Sequence, residues 1–239
     1  MVEFKSYASS SAGNFYTVSD GHTKLMIECG IPVRKIKEAL NFKLSEIQGC
    51  LASHVHQDHI KAANDIMKAG IDLYALRETI EAADLSGHRV HEIKALKQFR
   101  IGTWTIKPFN LIHSVPCVGL LLVSDNGDRL IFITDSQYAP YRFKRSAHIL
   151  AVECNYDLSI LKHNLKTGAL ALEVAKGVIQ NHMSLETCKE FFRVNDMSKV
   201  QAIHLLHLSE MNADPAMFKR EIQRITGRPV YVACYQETR

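Results

Sequence analysis

Apolar and polar positions along the chain switch repeatedly between a period of two and a period near 3.6. "VEFKSYA" and "NFYTV" have the alternation and composition of strands, and they flank a Ser/Gly/Asn loop, "SSSAGN". "TVSDGHTKLMIEC" sets Asp20-Gly21 between two β-type runs, the composition of a tight hairpin. At "PVRKIKEAL" the period changes: Val33, Ile36 and Leu40 recur at helical spacing behind Pro32, which predicts an amphipathic helix. A short buried strand, "IQGCLAS", comes next, then a helix, "HIKAANDIMKAG", closed by Gly70. The middle, "HEIKALKQFRIGTWTIKPFNLIH", is β-rich, and "VGLLLVSDNGDRLIFITD" predicts a second hairpin about Asn126-Gly127. The last third alternates again: a strand "HILAVEC", helices within 157–194, a strand "VQAIHLLHL", a helix from Pro215 to about Ile225, and a final strand "PVYVAC".

Strands and helices on either side of a β-rich middle fit an α/β fold of two sheets packed face to face with helices outside. No Pro/Ser-rich linker or low-complexity stretch interrupts this order, so one domain over residues 1–239 is expected. With 46% hydrophobic and 23% charged residues, the chain has the balance of a soluble globular protein. Its six cysteines (Cys29, Cys50, Cys117, Cys154, Cys188 and Cys234) are scattered, without a CxxC pair. They read as core residues in a reducing compartment, not as a disulfide framework. The N-terminus lacks the basic-then-apolar pattern of a secretion signal, and no apolar stretch approaches the roughly 20 residues that cross a bilayer. A soluble, cytoplasmic protein without membrane contact is the expectation. A net charge of +4 permits a polyanionic partner without arguing strongly for one.

The chemistry concentrates in "SHVHQDH", residues 53–59. His54 and His56, two apart at a strand exit, project the same way and can approach one ion. Asp58 and His59 come as the chain turns into a helix and can face a second ion nearby. Imidazole nitrogen with carboxylate oxygen suits Zn²⁺ and accommodates Mn²⁺ or Fe²⁺. Further donors stand at the exits of other apolar runs: His113 after "FNLI", Asp135 after "LIFIT", and His207 after "VQAIHLL". A lone His or Asp after a strand is more often a satisfied structural group; the shared position at strand exits is what groups these.

"HVHQDH" followed by His113, Asp135 and His207 resembles the metallo-β-lactamase superfamily, whose marker is HxHxDH. The likeness spans nearly the whole chain. It implies an αββα sandwich, two mixed β-sheets flanked by helices, with a dinuclear metal site. By position, His54, His56 and His113 would bind one ion, Asp58, His59 and His207 the other, and Asp135 both. Two such ions about 3.5–4 Å apart share a water whose pKa falls toward about 7, which implies hydrolysis. Fold alone does not choose among lactam, thioester, lactone and phosphodiester.

Secondary motifs narrow the choice. "ASSSAGN", "VECNYD", "NHMSLE" and "HLSEMN" are similar to the "ASGSSGN", "ESNHD", "GHLSN" and "HLSxxNN" of compact WalJ/YycJ-type exonucleases. The subgroup implies a phosphodiesterase acting on nucleic acid, DNA favoured over RNA. "HMS" also resembles a transfer-RNA 3′-processing branch in which that histidine assists the leaving group, which implies for His182 the role of general acid or of a phosphate contact in the transition state. Asp58 joins it as a catalytic residue. Ser11 and Asn14 (with Ser10 beside them), Ser209 and Asn212 stand as candidate phosphate contacts and equally as turn residues. Departures from the subgroup are Glu28 for Asp, Tyr156 for His, Asn181 for Gly, Leu185 for Asn and Ala213 for Asn. They leave the ligand set intact and bear on substrate choice. A hydrolase of a small thioester, lactam or cyclic nucleotide on the same scaffold is the alternative. A non-enzymatic binding module is disfavoured, because it would not need all seven ligands.

Overall fold

A computed structural model describes residues 2–233, and its strands form two sheets. In the first, β1 (Glu3–Ser10), β2 (Gly13–Ser19), β3 (Lys24–Ile27), β4 (Ile47–Leu51), β5 (Leu73–Leu76) and β6 (Val90–Ile93) lie in sequence order. β1 to β3 pair antiparallel and β3 to β6 parallel. The second runs, from one edge to the other, β13 (Val230–Val232), β12 (Ala202–Leu206), β11 (Ile149–Glu153), β10 (Arg129–Ile133), β9 (Cys117–Ser124), β8 (Trp104–Leu111) and β7 (Phe99–Ile101). Here β7 and β8 are antiparallel, and β11 to β13 parallel, so both sheets are mixed. Helices α1 (Val33–Ala39), α2 (Gln57–Ile60), α3 (Ala63–Lys68) and α4 (Arg77–Ala82) connect the parallel strands of the first sheet. Helices α5 (Leu158–Lys166), α6 (Leu172–Asn181), α7 (Leu185–Val194) and α8 (Pro215–Thr226) belong to the C-terminal part.

The chain divides into two compact units: residues up to Asn110 with Val115–Leu130, and Leu111–Ser114 with the residues from Ile131 onward. In the first unit, one face of the sheet buries Phe15, Met26, Cys50 and Leu73 against Ile36 of α1 and Ile66 of α3. On the other face Leu76 and Ile93 meet Val118 of β9. There the indole N–H of Trp104, fully buried, donates to the carbonyl of Thr23 at 3.0 Å.

Three local expectations are revised. The "SSSAGN" loop shrinks to the turn residues Ser11 and Ala12, because pairing runs on to Ser10↔Gly13. The single helix expected to end at Gly70 is two helices. In a continuous helix the carbonyl of Asp58 would accept from the N–H of Ala62. Instead that N–H donates to Cys29 at 2.9 Å, and the Asp58 carbonyl lies 3.2 Å from the Asn14 amide. β5 and α4 were not foreseen; four residues are too few to show a period.

In the second unit, α8 opens with the Asp214 side chain accepting from the Met217 N–H and closes at left-handed Gly227, as helix ends favour. Burial alone would lower the Lys189 pKa, but hydrogen bonds to Glu186 (2.7 Å) and Glu221 (3.1 Å) outweigh it, hold it raised and tie α7 to α8. Cys29, Cys50, Cys117, Cys154 and Cys188 are free and buried, as core residues should be; Cys234 lies outside the described residues. Among the described residues no helix is long and apolar enough to cross a membrane.

Candidate metal centre

The expected ligands divide between the units, His54, His56, Asp58 and His59 in the first, and His113, Asp135 and His207 in the second. Every one of them follows a strand: β4, β8, β10 or β12. A strand end buried on both faces is a rigid mount, which suits side chains that must be aimed.

In the first unit, Nε2 of His54 and Nδ1 of His56 face each other at 3.0 Å. Two ring nitrogens that close suit a shared cation. The other ring nitrogen of His54 is held by Ser53 Oγ at 2.9 Å. On α2, His59 Nε2 lies 3.2 Å from Asp58 Oδ2, while its Nδ1 meets Oε1 of the fully buried Glu28 at 3.3 Å. A carboxylate behind a ligand histidine fixes its tautomer and raises its basicity. The backbone is fitted closely here. A Cβ on Gly30 would fall 1.6 Å from the Asp58 carbonyl oxygen, so only glycine lets this strand–helix approach occur.

Asn14 is fully buried. Its Nδ2 lies 3.2 Å from Asp58 Oδ2 and 3.1 Å from His59 Nε2, and its Oδ1 accepts from the Tyr16 hydroxyl at 3.0 Å. The first hairpin therefore reaches the ligand pair through a side chain read from sequence as a phosphate contact. Ser11 is exposed at the turn tip.

In the second unit, Asp135 turns one oxygen toward His113 Nε2 (3.9 Å) and the other toward His207 Nε2 (3.6 Å). Asp135, Glu153, His182 and His207 bring one donor atom each within 4.8 Å of one another. Glu153, fully buried, was quoted in a motif but given no role. Its Oε1 accepts from His182 Nδ1 at 2.6 Å, and its Oε2 accepts from the N–H groups of Ser136 (2.8 Å) and Met183 (3.3 Å). Charged acceptor and ring donor at that distance make a charge-assisted bond. The bond calls for a proton on His182 Nδ1. His182 caps the end of α6, and Ser184 caps α7 by accepting from the Thr187 N–H.

Asn155 Nδ2 donates to the His207 carbonyl at 2.7 Å and lies 3.1 Å from its Nδ1. Asn212 is buried, with its side chain engaged by Asn164 (3.0 Å) and Ser209 (3.3 Å). Ser209 is half-buried, and its hydroxyl also accepts from the Asn212 N–H. Glu28, Asp135 and His207 all hold left-handed φ values, of 61°, 42° and 53°. Such conformations are uncommon outside glycine and gather where structure serves chemistry. Nitrogen and carboxylate donors, mostly buried and backed by further carboxylates and amides, fit divalent metal ions. Exposed cations of the first unit meet neighbouring carboxylates: Arg34 pairs with Glu38, Lys94 with Glu92 and Arg100 with Asp125.

Comparison with known proteins agrees with this description. A family model for a β-lactamase superfamily domain matches residues 23–209. The exodeoxyribonuclease WalJ of Streptococcus pneumoniae is 26% identical over 223 residues, covering 86% of this chain and 81% of its own. The exodeoxyribonuclease YycJ of Bacillus anthracis is 23% identical over 240 residues, covering 94% and 89%. Among solved structures, the metallo-β-lactamase fold protein YhfI from Bacillus subtilis superposes with a TM-score of 0.77 at 17% identity, covering 97% of this chain and 96% of its own.

Proposed function

The chain belongs to the β-lactamase superfamily, and on that premise we propose that it is a two-metal phosphodiesterase that degrades DNA from a strand end. The Glu153–His182 pair carries the reading. A phosphodiesterase expels a sugar alkoxide, a poor leaving group that needs a proton as it departs, and a positioned histidine supplies one. The relatives named exodeoxyribonucleases, matched over most of the chain, support the same substrate class.

We assign His54, His56 and His113 to one ion, Asp58, His59 and His207 to the other, and Asp135 to both. Two ions so held would bring the pKa of a shared water toward about 7 and draw charge from the phosphate oxygens. A hydroxide from water would add to phosphorus as the P–O bond to the departing nucleoside breaks, and the departing oxygen would take the proton from His182 Nε2. Glu153 keeps the imidazole oriented and stabilises its charged form. Glu28 and Asn14 hold His59 and Asp58 in place. The nitrogen-rich donor set favours zinc, with Mn²⁺ or Fe²⁺ as substitutes. We take the two units to act as one hydrolase domain, and the free buried cysteines support a reducing, cytoplasmic setting.

The test is hydrolysis of end-labelled single- and double-stranded DNA with Zn²⁺ or Mn²⁺ supplied, beside Asp58→Ala. Metal-dependent release of mononucleotides, lost in the variant, is expected. Intact DNA with fully metallated protein would overturn the reading and turn the search to RNA, cyclic nucleotides or thioesters.

A further inference from the structure

Beyond the ligand cluster, the second unit carries a strongly basic concavity. The segment joining Asp135 to β11 contains Tyr141-Arg142-Phe143-Lys144-Arg145, three cations in five residues alternating with rings. Arg142, Lys144 and Arg145 are exposed. Some surface cations of this chain meet a carboxylate, as Arg34, Arg77 and Arg89 do. Among the described residues these three enter no ion pair. Arg142, Phe143 and Lys144 face Arg193, Asn195 and Asp196 around a cavity of about 410 Å³.

The segment is a fixed wall, not a loose arm. The Phe143 N–H donates to Asn195 Oδ1 at 2.7 Å, and the Asn195 amide donates to the Phe191 carbonyl at 2.8 Å. The Ser146 hydroxyl donates to the Asp196 carbonyl at 2.8 Å and accepts from the Lys199 N–H at 3.0 Å. The Phe143 ring stands edge-on to Phe191, with centroids 6.3 Å apart. The carboxylates at hand are engaged: Asp196 accepts from the Ser198 N–H at 2.8 Å, and Glu190 meets Arg193 at 3.4 Å. Uncompensated like charges held on a rigid surface repel one another, and a row of phosphates relieves that repulsion.

The distance to the reactive end is set by α7. This helix begins two residues after Ser184's neighbour Met183 and ends at Val194, and its 10 residues span about 15 Å. One strand of stacked nucleic acid advances about 3.4 Å per phosphate, so the cavity stands roughly four nucleotides from His182.

We propose that Arg142, Lys144 and Arg145, with the Glu190-paired Arg193 facing them, form a backbone-phosphate subsite that grips a nucleic-acid strand about four nucleotides from the bond being cut. The proposal rests on the phosphodiesterase reading and adds a second grip on the same substrate. Contacts to backbone phosphates carry no sequence information, so such a grip is independent of sequence.

The test compares the metal-loaded protein with the combined variant Arg142→Ala, Lys144→Ala, Arg145→Ala. These side chains are exposed, and unchanged melting confirms the fold. Binding of a hydrolysis-resistant phosphorothioate strand of about twelve nucleotides is followed by fluorescence anisotropy across salt, where each lost phosphate contact lowers the slope of log K against log salt by about 0.7. A fall of about 2 in that slope is expected, with binding of a dinucleotide and hydrolysis of bis(p-nitrophenyl) phosphate, which reach only the reacting end, unchanged. An unaltered slope and affinity for the long strand would overturn the subsite, as would a wild-type protein that does not bind it. If the wild type binds the strand with the expected slope yet hydrolyses no diester, the phosphodiesterase reading fails alone.

Discussion

Glu153→Gln is the sharpest perturbation available. All three hydrogen-bond partners of the carboxylate are donors: His182 Nδ1 at 2.6 Å on one oxygen, and the N–H groups of Ser136 (2.8 Å) and Met183 (3.3 Å) on the other; His207 Nδ1 also lies 3.8 Å from the first oxygen. A glutamine has one acceptor oxygen, so its NH₂ must face a donor on one side or the other. If it faces the backbone, buried N–H groups lose their partner, at about 1–3 kcal/mol of stability. If it faces His182, the charge-assisted bond is lost. A bond of that kind contributes about 1.5–3 kcal/mol, so a DNA-hydrolysis rate that relies on His182 as proton donor should fall roughly ten- to a hundredfold. Complete loss of general-acid help sets the upper bound, about 10²–10⁴-fold.

Leaving-group chemistry separates this role from a merely structural one. DNA expels an alkoxide that needs the proton, whereas a p-nitrophenyl diester expels a phenolate that does not. Turnover of both is measured on Glu153→Gln and His182→Ala, with metal content read on the same samples. Both variants should lose DNA hydrolysis by tens-fold or more and keep p-nitrophenyl diester hydrolysis within a few-fold, at full metal content. Equal losses on the two substrates would refute the proton-donor argument. Metal loss in Glu153→Gln would show instead that Glu153 serves the ion directly.

Three further outcomes follow from local geometry. Gly30→Ala drives a Cβ into the Asp58 carbonyl and should cost about 3 kcal/mol in denaturant melts, whereas Gly177→Ala in α6, with open space around it, should be neutral or stabilise by up to about 1 kcal/mol; equal effects would contradict the packing. Asn14→Ala removes the amide behind Asp58 and His59 and should weaken metal affinity about 10–100-fold in chelator competition, with an unchanged constant counting against a positioning role. Burial lowers the His204 pKa to about 4, from 6.5. Its proton therefore favours the unfolded chain: the contribution is full above about pH 6.5 and is lost as pH falls toward 4, at about 1.4 kcal/mol per unit and up to about 3 kcal/mol in all. His204→Leu should flatten the stability profile over that window relative to wild type, and parallel profiles would contradict it.

Where one face or stripe is apolar, periodicity was enough to read the fold. α1 begins behind Pro32, α8 runs from Pro215, and the Asn126-Gly127 turn falls between β9 and β10. The misreadings occur where tertiary contacts replace local hydrogen bonds. "HIKAANDIMKAG" has unbroken helical composition, yet the Asn14 amide and the Cys29 carbonyl, both distant in sequence, take the groups that would have continued the helix. Nothing within the segment reports them.

The site shows the same division between local and distant information. Donor types and their strand-exit positions are local, so "HVHQDH", His113, Asp135 and His207 are legible as candidate ligands. The groups that orient them were not, because their meaning lies in what they face. Glu28 is an acid in a β-type run until His59 is placed 3.3 Å from it, and Glu153 is another until His182 closes on it at 2.6 Å. A charged residue ending an apolar strand is nonetheless a readable signal, since a buried carboxylate must find partners. Both carboxylates are fully buried, and each meets a histidine of the proposed site. That rule, applied to the sequence, would have singled out Glu28 and Glu153 beside the ligands, and it ties the unusual backbone at Glu28 to the orientation of His59.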